Sequence, residues 1–394
     1  MENATEIKQL GYRILLLYRT FGPSVNLCGY LQLKNLSERG IIQFRHKRIL
    51  EVSKSDLNWA ELVAFVRGDA LLDEWMAKIC HDSGKQVLYI LDDDLLNVPL
   101  HLSSGPYYAQ QSVKAHIRNM MTYSDYFASP SNVLLERYGT MFSKAFPIIE
   151  PTAFQLQEKN SWDDGRVHIG FAGSADRGYD IDTILAEALR EIKKKYSDSI
   201  EIEFFGTATQ IAKDLHCVTY PYTESYEKYQ MQMAQLNWDI GLAPMPDSPF
   251  HACKHYNKLV EYCGFGIAGI YSNVVPYRGA IEDGVTGLLC NNTAEEWVAA
   301  LSKLIENPKL RKQISDNCLQ KARTDFSIVE AANQMAQCLS QLEIGNEKDI
   351  SIGFLGWAKV RGFCSWYAEK LKKYGWRTPF IAISKVFRII KGDV

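Results

Sequence analysis

Residues 250 to 289 read FHACKHYNKLVEYCGFGIAGIYSNVVPYRGAIEDGVTGLL, and this stretch decides how the rest of the chain is interpreted. It combines a basic helical pattern, an apolar strand and two Gly-rich turns. Lys254, Lys258 and Glu261 are spaced four and three residues apart, so a continuous helix would place all three side chains on one face. Two cations and a carboxylate beside the end of a strand suit a ligand that carries a diphosphate and a ribose.

Before and within this stretch, short apolar runs alternate with helical patterns, and residues 294–343 after it are helical by pattern. Such alternation is typical of parallel sheets of the doubly wound type. The polar stretch QLQEKNSWDDG, residues 155–165, separates two sets of four runs and predicts a linker. We therefore expect two doubly wound α/β domains. The predicted strands are RILLLY (13–18), LVAFVR (62–67), QVLYIL (86–91), YFASP (126–130), VHIGFAG, IEIEFFG, WDIGLAPM and GIAGIYS.

Length and composition fit a globular protein of two domains. The chain has 394 residues, of which 46% are hydrophobic and 23% charged. Its nine cysteines form no CxxC pair, which favours reduced thiols in a cytosolic protein. The apolar run at 14–18 is too short for a signal peptide or a membrane span. We expect a cytoplasmic protein with domains at 1–155 and 156–345 and a tail at 346–394.

The tail differs in charge from the rest of the chain. Residues 351–394 hold nine Lys and Arg against two acidic residues, a net charge of +7 within a chain of net charge −2. Phe380, Ile383, Phe387 and Ile390 form an apolar stripe with cations opposite, which predicts a helix lying in an anionic membrane interface. The same pattern also fits a helix packed on the protein's own core. Nucleic acid is not an expected partner, because the remainder is acidic and carries no recognition motif.

A second candidate segment is GFAGSADRGYDIDTI, residues 170–184. It predicts a strand, a Gly-bearing loop and the start of a helix. Backbone N–H groups at Gly173 and Ser174, together with the helix N-terminus, could hold a phosphate, and Arg177 could add a charged fork. The pattern also fits an ordinary strand-to-helix turn with an exposed Arg.

Two clusters contain possible metal ligands. Asp92, Asp93 and Asp94 follow an apolar run, where adjacent carboxylates could bind a metal or form a solvated turn and helix cap. His251 and His255 are four residues apart, a spacing that can bind a metal on a helix. No third ligand accompanies the histidines at a known spacing, so a role in the pocket or the core is expected, with no metal.

The segments quoted above resemble the donor site of the GT-B glycosyltransferases, especially family 4, also called group 1. The matching positions are Glu261-Tyr262, Gly266-Ile267, Asp283-Gly284-Val285-Thr286-Gly287 and, in the Lys-Gly place of the phosphate loop, Arg177-Gly178. Two positions depart from the family pattern. Cys253 stands where the family often has the first of two Glu, and Ala268 stands where Pro is usual.

The resemblance implies two Rossmann-like domains that face each other across a cleft. It implies transfer of a sugar from a nucleoside diphosphate sugar to a glycan or lipid-linked saccharide, in cell-surface polysaccharide synthesis. Transfer would retain the anomeric configuration and need neither metal nor cofactor. Glu261 would hold the donor ribose, and Lys254 and Lys258 would offset the diphosphate charge. Arg177 and Lys258 would stabilise the departing diphosphate.

The resemblance also assigns residues to the acceptor side. Asp92 and Asp93 take the place of a His-Asp pair that faces the cleft, which implies acceptor contact or proton transfer. Gly22 and Gly29 lie in the loop after the first strand, which would border the acceptor and the transferred sugar.

Two other functions stay open at this point. Because the first Glu is missing, the chain could bind nucleotide sugars or glycans without catalysis. The Asp run could instead belong to a metal-dependent enzyme of the other glycosyltransferase fold, GT-A. For the main interpretation, the expected partners are a nucleotide sugar, a glycan or lipid-linked acceptor and, through the tail, an anionic surface at the inner face of the membrane.

Overall fold

The computed structural model of the protein describes residues 9–153, 164–207, 209–223, 225–343 and Tyr367. Most of the predicted linker lies outside these ranges. The predicted amphipathic helix of the tail lies outside them too, and it stays a prediction.

The first domain is built on six parallel strands. They are β1 (Arg13–Tyr18), β2 (Gln43–Arg48), β3 (Leu62–Val66), β4 (Gln86–Ile90), β5 (Tyr126–Ser129) and β6 (Lys144–Pro147). Their order across the sheet is β2-β1-β3-β4-β5-β6. The four predicted strands of this half are confirmed as β1, β3, β4 and β5.

The sequence pattern does not indicate β2 and β6, which lie at the two edges of this sheet. Their segments, QFRHKR and KAFP, bury few side chains. A central parallel strand is covered on both faces and reads as an apolar run, whereas an edge strand has one neighbour and more solvent. Accordingly, alternate residues of β1, β3 and β4 divide between two apolar clusters, one on each face of the sheet.

The second domain is also built on six parallel strands. They are β7 (Val167–Ala172), β8 (Ile200–Phe205), β9 (Val218–Tyr220), β10 (Ile240–Ala243), β11 (Ala268–Ser272) and β12 (Leu288–Cys290). Their order is β12-β11-β10-β7-β8-β9, which is the Rossmann order. The four predicted strands are confirmed as β7, β8, β10 and β11. The two others are edge strands of three residues, too short for a sequence pattern.

Seven helices of the first domain lie between its strands. They are α1 (Pro23–Val25), α2 (Leu31–Glu38), α3 (Lys54–Trp59), α4 (Leu71–Asp82), α5 (Gly105–Tyr108), α6 (Gln111–Thr122) and α7 (Asn132–Tyr138). The segment after β1 was expected to be a loop, but it is mostly helical. There α1 runs through a π-helical turn, Asn26–Tyr30, directly into α2.

Seven further helices follow. They are α8 (Gly178–Tyr196), α9 (Gln210–Asp214), α10 (Tyr226–Leu236), α11 (Asn257–Phe265), α12 (Ala294–Glu306), α13 (Pro308–Arg323) and α14 (Ile328–Leu339). The helix start predicted within residues 170–184 is confirmed as the beginning of α8. The helical pattern predicted over 294–343 is confirmed as α12, α13 and α14.

The last helix returns to the first domain. Met335 and Leu339 of α14 are buried in the same apolar cluster as Leu33 and Leu36 of α2. The predicted second domain, 156–345, therefore includes a helix that packs on the first. An apolar helix face shows that a helix is buried, but the sequence does not show which domain covers it.

A close approach in the second core gives a test of this packing. Gly170 on β7 faces the ring of buried Trp238, and a Cβ at Gly170 would lie 1.9 Å from that ring. We expect Gly170→Ala to lower the free energy of unfolding by about 1–3 kcal/mol, since overpacking displaces the ring or the strand. Denaturant unfolding measures it. Gly279→Ala is the control, because no atom lies within 4 Å of its Cβ position, and equal effects of the two changes would contradict the packing described.

Candidate active site

The carboxyl ends of strands from both sheets line one cavity of about 240 Å³ between the domains, which we call the cleft cavity. Ligands of doubly wound sheets bind beyond the strand ends where the strand order reverses. In this chain the reversals fall between β1 and β3 and between β7 and β10. The cavity is lined by residues that follow β3, β4, β7 and β10, including Arg67, Asp92, Asp93, Gly173, Arg177, Pro244, Lys254 and Lys258.

A neighbouring cavity of about 430 Å³, the side cavity, extends along the second domain. Pro23, Leu27, Glu150, Gly173, Asn257 and Lys258 line both cavities, so the two spaces adjoin. Toward its far end the side cavity is lined by Ser174, Gly206, Tyr222, Tyr229 and Glu261. Of the ten residues proposed from the sequence, eight line one or both cavities, and Gly22 and Gly29 do not.

On the first-domain wall, Arg67 holds two of the predicted carboxylates. Its guanidinium contacts both carboxylate oxygens of Asp92, at 2.8 Å for Nη2 to Oδ2, and Nη2 lies 2.6 Å from Oδ2 of Asp93. Burial alone would lower the pKa of Arg67, but the two carboxylates raise it well above its ordinary value. Arg67 has a φ of 54°, a left-handed conformation uncommon for residues other than glycine. The sequence gives no signal for this residue.

Lys254 joins the two walls of the cleft. Its Nζ donates to Oδ1 of Asp93 at 2.9 Å. Burial favours a higher pKa for Asp93, but the charges of Lys254 and Arg67 outweigh it and lower that pKa, so Asp93 is ionised at neutral pH. The prediction that Lys254 shares a helix face with Lys258 and Glu261 is wrong. Lys254 has extended backbone and precedes α11, which directs its side chain to the first domain.

Asp94 does not face the cleft with its two neighbours. It is fully buried and contacts Arg137, and Tyr138 donates to it at 2.7 Å and Asn97 at 2.9 Å. These contacts fix the loop after β4 against α7. The three consecutive carboxylates therefore do not converge on one ion.

Lys258 and Glu261 share a face of α11, as predicted, and contact each other directly. Tyr229 of α10 completes the group, since its hydroxyl donates to Oε2 of Glu261 at 3.0 Å and lies 3.3 Å from Nζ of Lys258. Burial and the charge of Glu261 raise the pKa of Tyr229 well above its ordinary value. The Tyr229 ring stacks on Phe205 at 5.2 Å. Tyr229 thus fixes the Glu261 carboxylate toward the side cavity, a role with no sequence signal beyond an aromatic residue in a helix.

The predicted phosphate loop follows β7 and leads into α8. Gly173 packs tightly, because a Cβ there would lie 2.7 Å from the Phe171 ring, and its N–H is already donated to the carbonyl of Phe205 at 3.0 Å. Arg177 immediately precedes α8 and lies at the cleft cavity. Its Nη2 donates to the carbonyl of Pro244 at 2.6 Å, and its closest carboxylate, Asp180, is 3.5 Å away. Arg177 therefore places a weakly neutralised cation at the N-terminus of α8.

The two glycines assigned to the acceptor side lie apart from each other. Gly22 directly precedes α1, and nothing lies within 4 Å of a Cβ placed there. Gly29 lies inside the π-helical turn, where a Cβ would contact Leu16 and Val66 at 3.4 and 3.6 Å. Gly29 is thus in the core against the sheet rather than at the cleft surface. From the same helical segment, Pro23, Ser24 and Leu27 reach the cavity instead.

The two histidines near Cys253 point to different partners. His251 contacts the hydroxyl of Ser248 at 2.8 Å, whereas Nδ1 of His255 lies 2.6 Å from Asn257. The pair therefore does not form a joint metal site. Burial, and then the charges of Arg177 and Lys254, lower the pKa of His251 to about 4.

One group in the described part of the chain does have the spacing of a metal site. Ligand atoms of Cys28, Asp92 and Glu150 all lie within 4.8 Å of one another. Burial and the charge of Glu150 raise the pKa of the Cys28 thiol well above its ordinary value, and Arg67 holds both oxygens of Asp92. A protonated thiol and an Arg-paired carboxylate are poor metal ligands.

Comparison of this sequence with known protein sequences supports the site described above. Residues 258–321 match the family model described as glycosyl transferases group 1, a range that runs from α11 through α13. The chain is 24% identical over 179 residues to the alpha-1,3/1,6-mannosyltransferase ALG2 of Dictyostelium discoideum. That alignment covers 45% of this chain and 36% of the relative, so the match spans only about a third of the relative's length.

Solved structures agree on the fold. HepE of Anabaena, determined in complex with UDP and glucose, superposes with a TM-score of 0.60 at 15% identity, covering 84% of this chain and 100% of that one. Sucrose-phosphate synthase of Thermosynechococcus elongatus superposes with a TM-score of 0.61 at 13% identity, covering 84% and 98%. At these identities the likeness concerns the fold.

The protein therefore has the GT-B fold, and its second domain carries the glycosyltransferase group 1 segment. The resemblance predicted from the sequence is confirmed. The GT-A alternative is wrong, because the chain forms two separate Rossmann-like sheets and its Asp run splits between the cleft and the core. Within the described ranges, no helix combines the length and apolarity needed to cross a bilayer.

The depressed pKa of His251 predicts a pH dependence of stability. In the unfolded chain His251 takes up a proton near pH 6.5, but in the folded protein only near pH 4. Its contribution to stability is therefore complete above pH 6.5 and is lost as the pH falls to about 4, by up to about 3 kcal/mol. Denaturant unfolding between pH 7 and 4 should show that wild type loses more stability than His251→Gln, and parallel curves would contradict the assignment.

Proposed function

We propose that this protein is a glycosyltransferase that moves a sugar from a nucleoside diphosphate sugar to a hydroxyl of a glycan or lipid-linked saccharide. The observation that carries the proposal is the placement of Arg177, Lys258 and the start of α8 at the cleft cavity, next to the Tyr229-held Glu261. Cations suit a diphosphate, and a fixed carboxylate suits ribose hydroxyls. The name of ALG2, a mannosyltransferase, and the UDP in the HepE complex support the same class of reaction.

The donor would occupy both cavities. Glu261 and the side cavity, with Tyr222 and Tyr226 on its wall, would hold the ribose and base. The diphosphate would lie at the junction, near Gly173 and Lys258, and the sugar would extend into the cleft cavity. Donor-binding residues are then Gly173, Ser174, Arg177, Lys254, Lys258 and Glu261.

Transfer is proposed to need no metal and no cofactor, and to retain the anomeric configuration. Four side-chain cations line the cleft cavity: Arg67, Arg177, Lys254 and Lys258. Cations fixed beside a departing diphosphate stabilise the negative charge that develops on it, which is the work a metal does in other transferases.

Asp92 and Asp93 would contact the acceptor on the first-domain wall. The lowered pKa of Asp93 makes it a weak base, which supports a hydrogen bond to an acceptor hydroxyl rather than removal of its proton. The basic tail supports an acceptor at an anionic membrane. We accordingly place the protein in the cytoplasm, at the inner face of the membrane, in cell-surface polysaccharide synthesis.

A donor screen tests the function. Thermal shift with UDP, GDP, ADP and dTDP identifies the base, since a ligand at a hundred times its dissociation constant stabilises by about 2.7 kcal/mol. Hydrolysis of the matching nucleotide sugars is then measured with and without EDTA. Turnover unaffected by EDTA is expected, and loss of turnover with EDTA would contradict metal independence.

A second candidate function is binding without catalysis. Cys253 occupies the place of the first family Glu and is buried, with its thiol directed to the carbonyl of Pro249 at 3.3 Å. It therefore offers no carboxylate to the cleft. Nucleotide binding without hydrolysis or transfer in the same screen would favour this function.

The donor site predicts the effect of Glu261→Ala. Loss of charge-assisted hydrogen bonds to the ribose should weaken nucleotide binding about 10- to 100-fold, since such bonds contribute about 1.5–3 kcal/mol. Titration calorimetry with the nucleoside diphosphate measures it. Glu227→Ala, an exposed Glu on the nearby α10, is the matched control and should bind like wild type. Equal affinities of the two variants would contradict the assignment of Glu261.

The basic tail predicts membrane association. Full-length protein should sediment with vesicles containing phosphatidylserine and be released as salt rises, because charge attraction is screened within about 8 Å at physiological ionic strength. A chain lacking residues 351–394 should stay in the supernatant and still bind nucleotide. Full-length protein that ignores these vesicles at low salt, or a shortened chain that unfolds, would contradict this proposal.

A further inference from the structure

Glu150 is a buried carboxylate at the centre of the site to which the proposed function assigns no role. It follows β6 at the point where the chain leaves the first domain, and only 2% of it is exposed. It lines both the cleft cavity and the side cavity. Of the carboxylates in the described ranges, no other lines both.

The surroundings of Glu150 leave its charge poorly matched. The Cys28 thiol donates to Oε1 at 3.4 Å, and Nδ1 of His255 lies 3.6 Å from Oε2. Within the described ranges, no Lys or Arg forms an ion pair with Glu150, whereas Arg67 pairs with Asp92 and Asp93. Burying a carboxylate without a cation costs several kcal/mol. A bound ligand with positive charge would offset this cost.

A neighbouring group also points to a ligand. Thr152, two residues further along the same segment, lines the side cavity, and its hydroxyl is buried with no hydrogen-bond partner in the described structure. Unpaired buried hydroxyls are uncommon in folded proteins. The segment that carries Glu150 therefore combines, beside the cavities, a carboxylate without a Lys or Arg partner and a hydroxyl without a hydrogen-bond partner.

Where the two cavities adjoin, the residues opposite Glu150 determine which part of a ligand lies against it. Gly173, Asn257 and Lys258 lie on that side and come from the second domain, whereas Pro23, Leu27 and Glu150 face them. A diphosphate fits beside Lys258 and is repelled by Glu150, so in the proposed placement of the donor the sugar lies against Glu150. Its anomeric carbon becomes positive as the diphosphate leaves.

We propose that Glu150 is a catalytic carboxylate that faces the transferred sugar and stabilises positive charge at the anomeric carbon. This assignment rests on the proposed function. In the step, the bond from the anomeric carbon to the diphosphate oxygen breaks and its electron pair leaves with the diphosphate. The acceptor oxygen bonds to the carbon, and its proton passes to a diphosphate oxygen. Glu150 forms no covalent bond in this step.

Glu150→Gln tests the assignment, with Glu203→Gln as the matched control. Glu203 is equally buried, at 3% exposed, and contacts His168 at 2.7 Å, but it lies on β8 and lines neither cavity. The probes are the nucleoside diphosphate that binds in the donor screen and a matching nucleotide sugar, namely UDP-glucose, GDP-mannose, ADP-glucose or dTDP-glucose. For the nucleotide and nucleotide sugar that bind, we expect Glu150→Gln to lower kcat of nucleotide-sugar hydrolysis at least tenfold. The KM for the nucleotide sugar should change less than threefold. Nucleoside diphosphate should bind equally or more tightly, because a repelling charge is removed.

The outcomes separate this assignment from the proposed function. A Glu150→Gln variant with the kcat of wild type would overturn the role of Glu150 but not the proposed function. A loss of kcat that is accompanied by weaker nucleotide binding and that Glu203→Gln also shows would do the same. If wild type binds none of UDP, GDP, ADP and dTDP, the proposed function fails and this assignment with it. Glu150→Asp keeps the charge on a shorter side chain, and a kcat between wild type and Glu150→Gln is expected. This variant keeps the test valid if Glu150→Gln does not fold.

Discussion

The salt bridge between Asp93 and Lys254 is the contact on which the cleft depends. It joins the loop after β4 of one sheet to the segment before α11 of the other, at 2.9 Å and with both side chains mostly buried. Removing Asp93 would leave Lys254 without its carboxylate, and loss of one partner of a buried pair typically costs about 3–5 kcal/mol. Arg67 adds a second cation on the same carboxylate and fixes its direction.

The central strands could be predicted because burial on both faces leaves a continuous apolar run, as in RILLLY at 13–18. The edge strands β2 and β6 could not, since their residues are mostly polar or exposed. The return of α14 to the first domain could not be predicted either. Its apolar face requires a partner, but only three-dimensional packing against α2 decides which one.

The site could be predicted where its chemistry lies within one segment. Lys258 and Glu261 are three residues apart on α11, and Arg177 directly precedes α8, so local patterns place them. Arg67 and Tyr229 come from distant segments and act through contacts with Asp93 and Glu261, which no local spacing encodes. The spacing of Lys254 predicts a position on α11, but its extended backbone ends the preceding turn and keeps it outside that helix.

The charged residues on the two walls of the cleft are arranged as the proposed sugar transfer requires. The second domain presents Arg177, Lys254 and Lys258, but Lys254 is paired with Asp93 and Lys258 with Glu261. The closest carboxylate to Arg177 is 3.5 Å away, so Arg177 is the least neutralised of these three cations and would interact most strongly with a diphosphate. On the first-domain wall Arg67 neutralises Asp92 and Asp93, whereas Glu150 has no Lys or Arg partner among the described residues. The weakly paired cation and the weakly paired anion both line the cleft cavity. In the proposed transfer, the anion would stabilise the glycosyl group as it becomes positive and the cation would stabilise its leaving group.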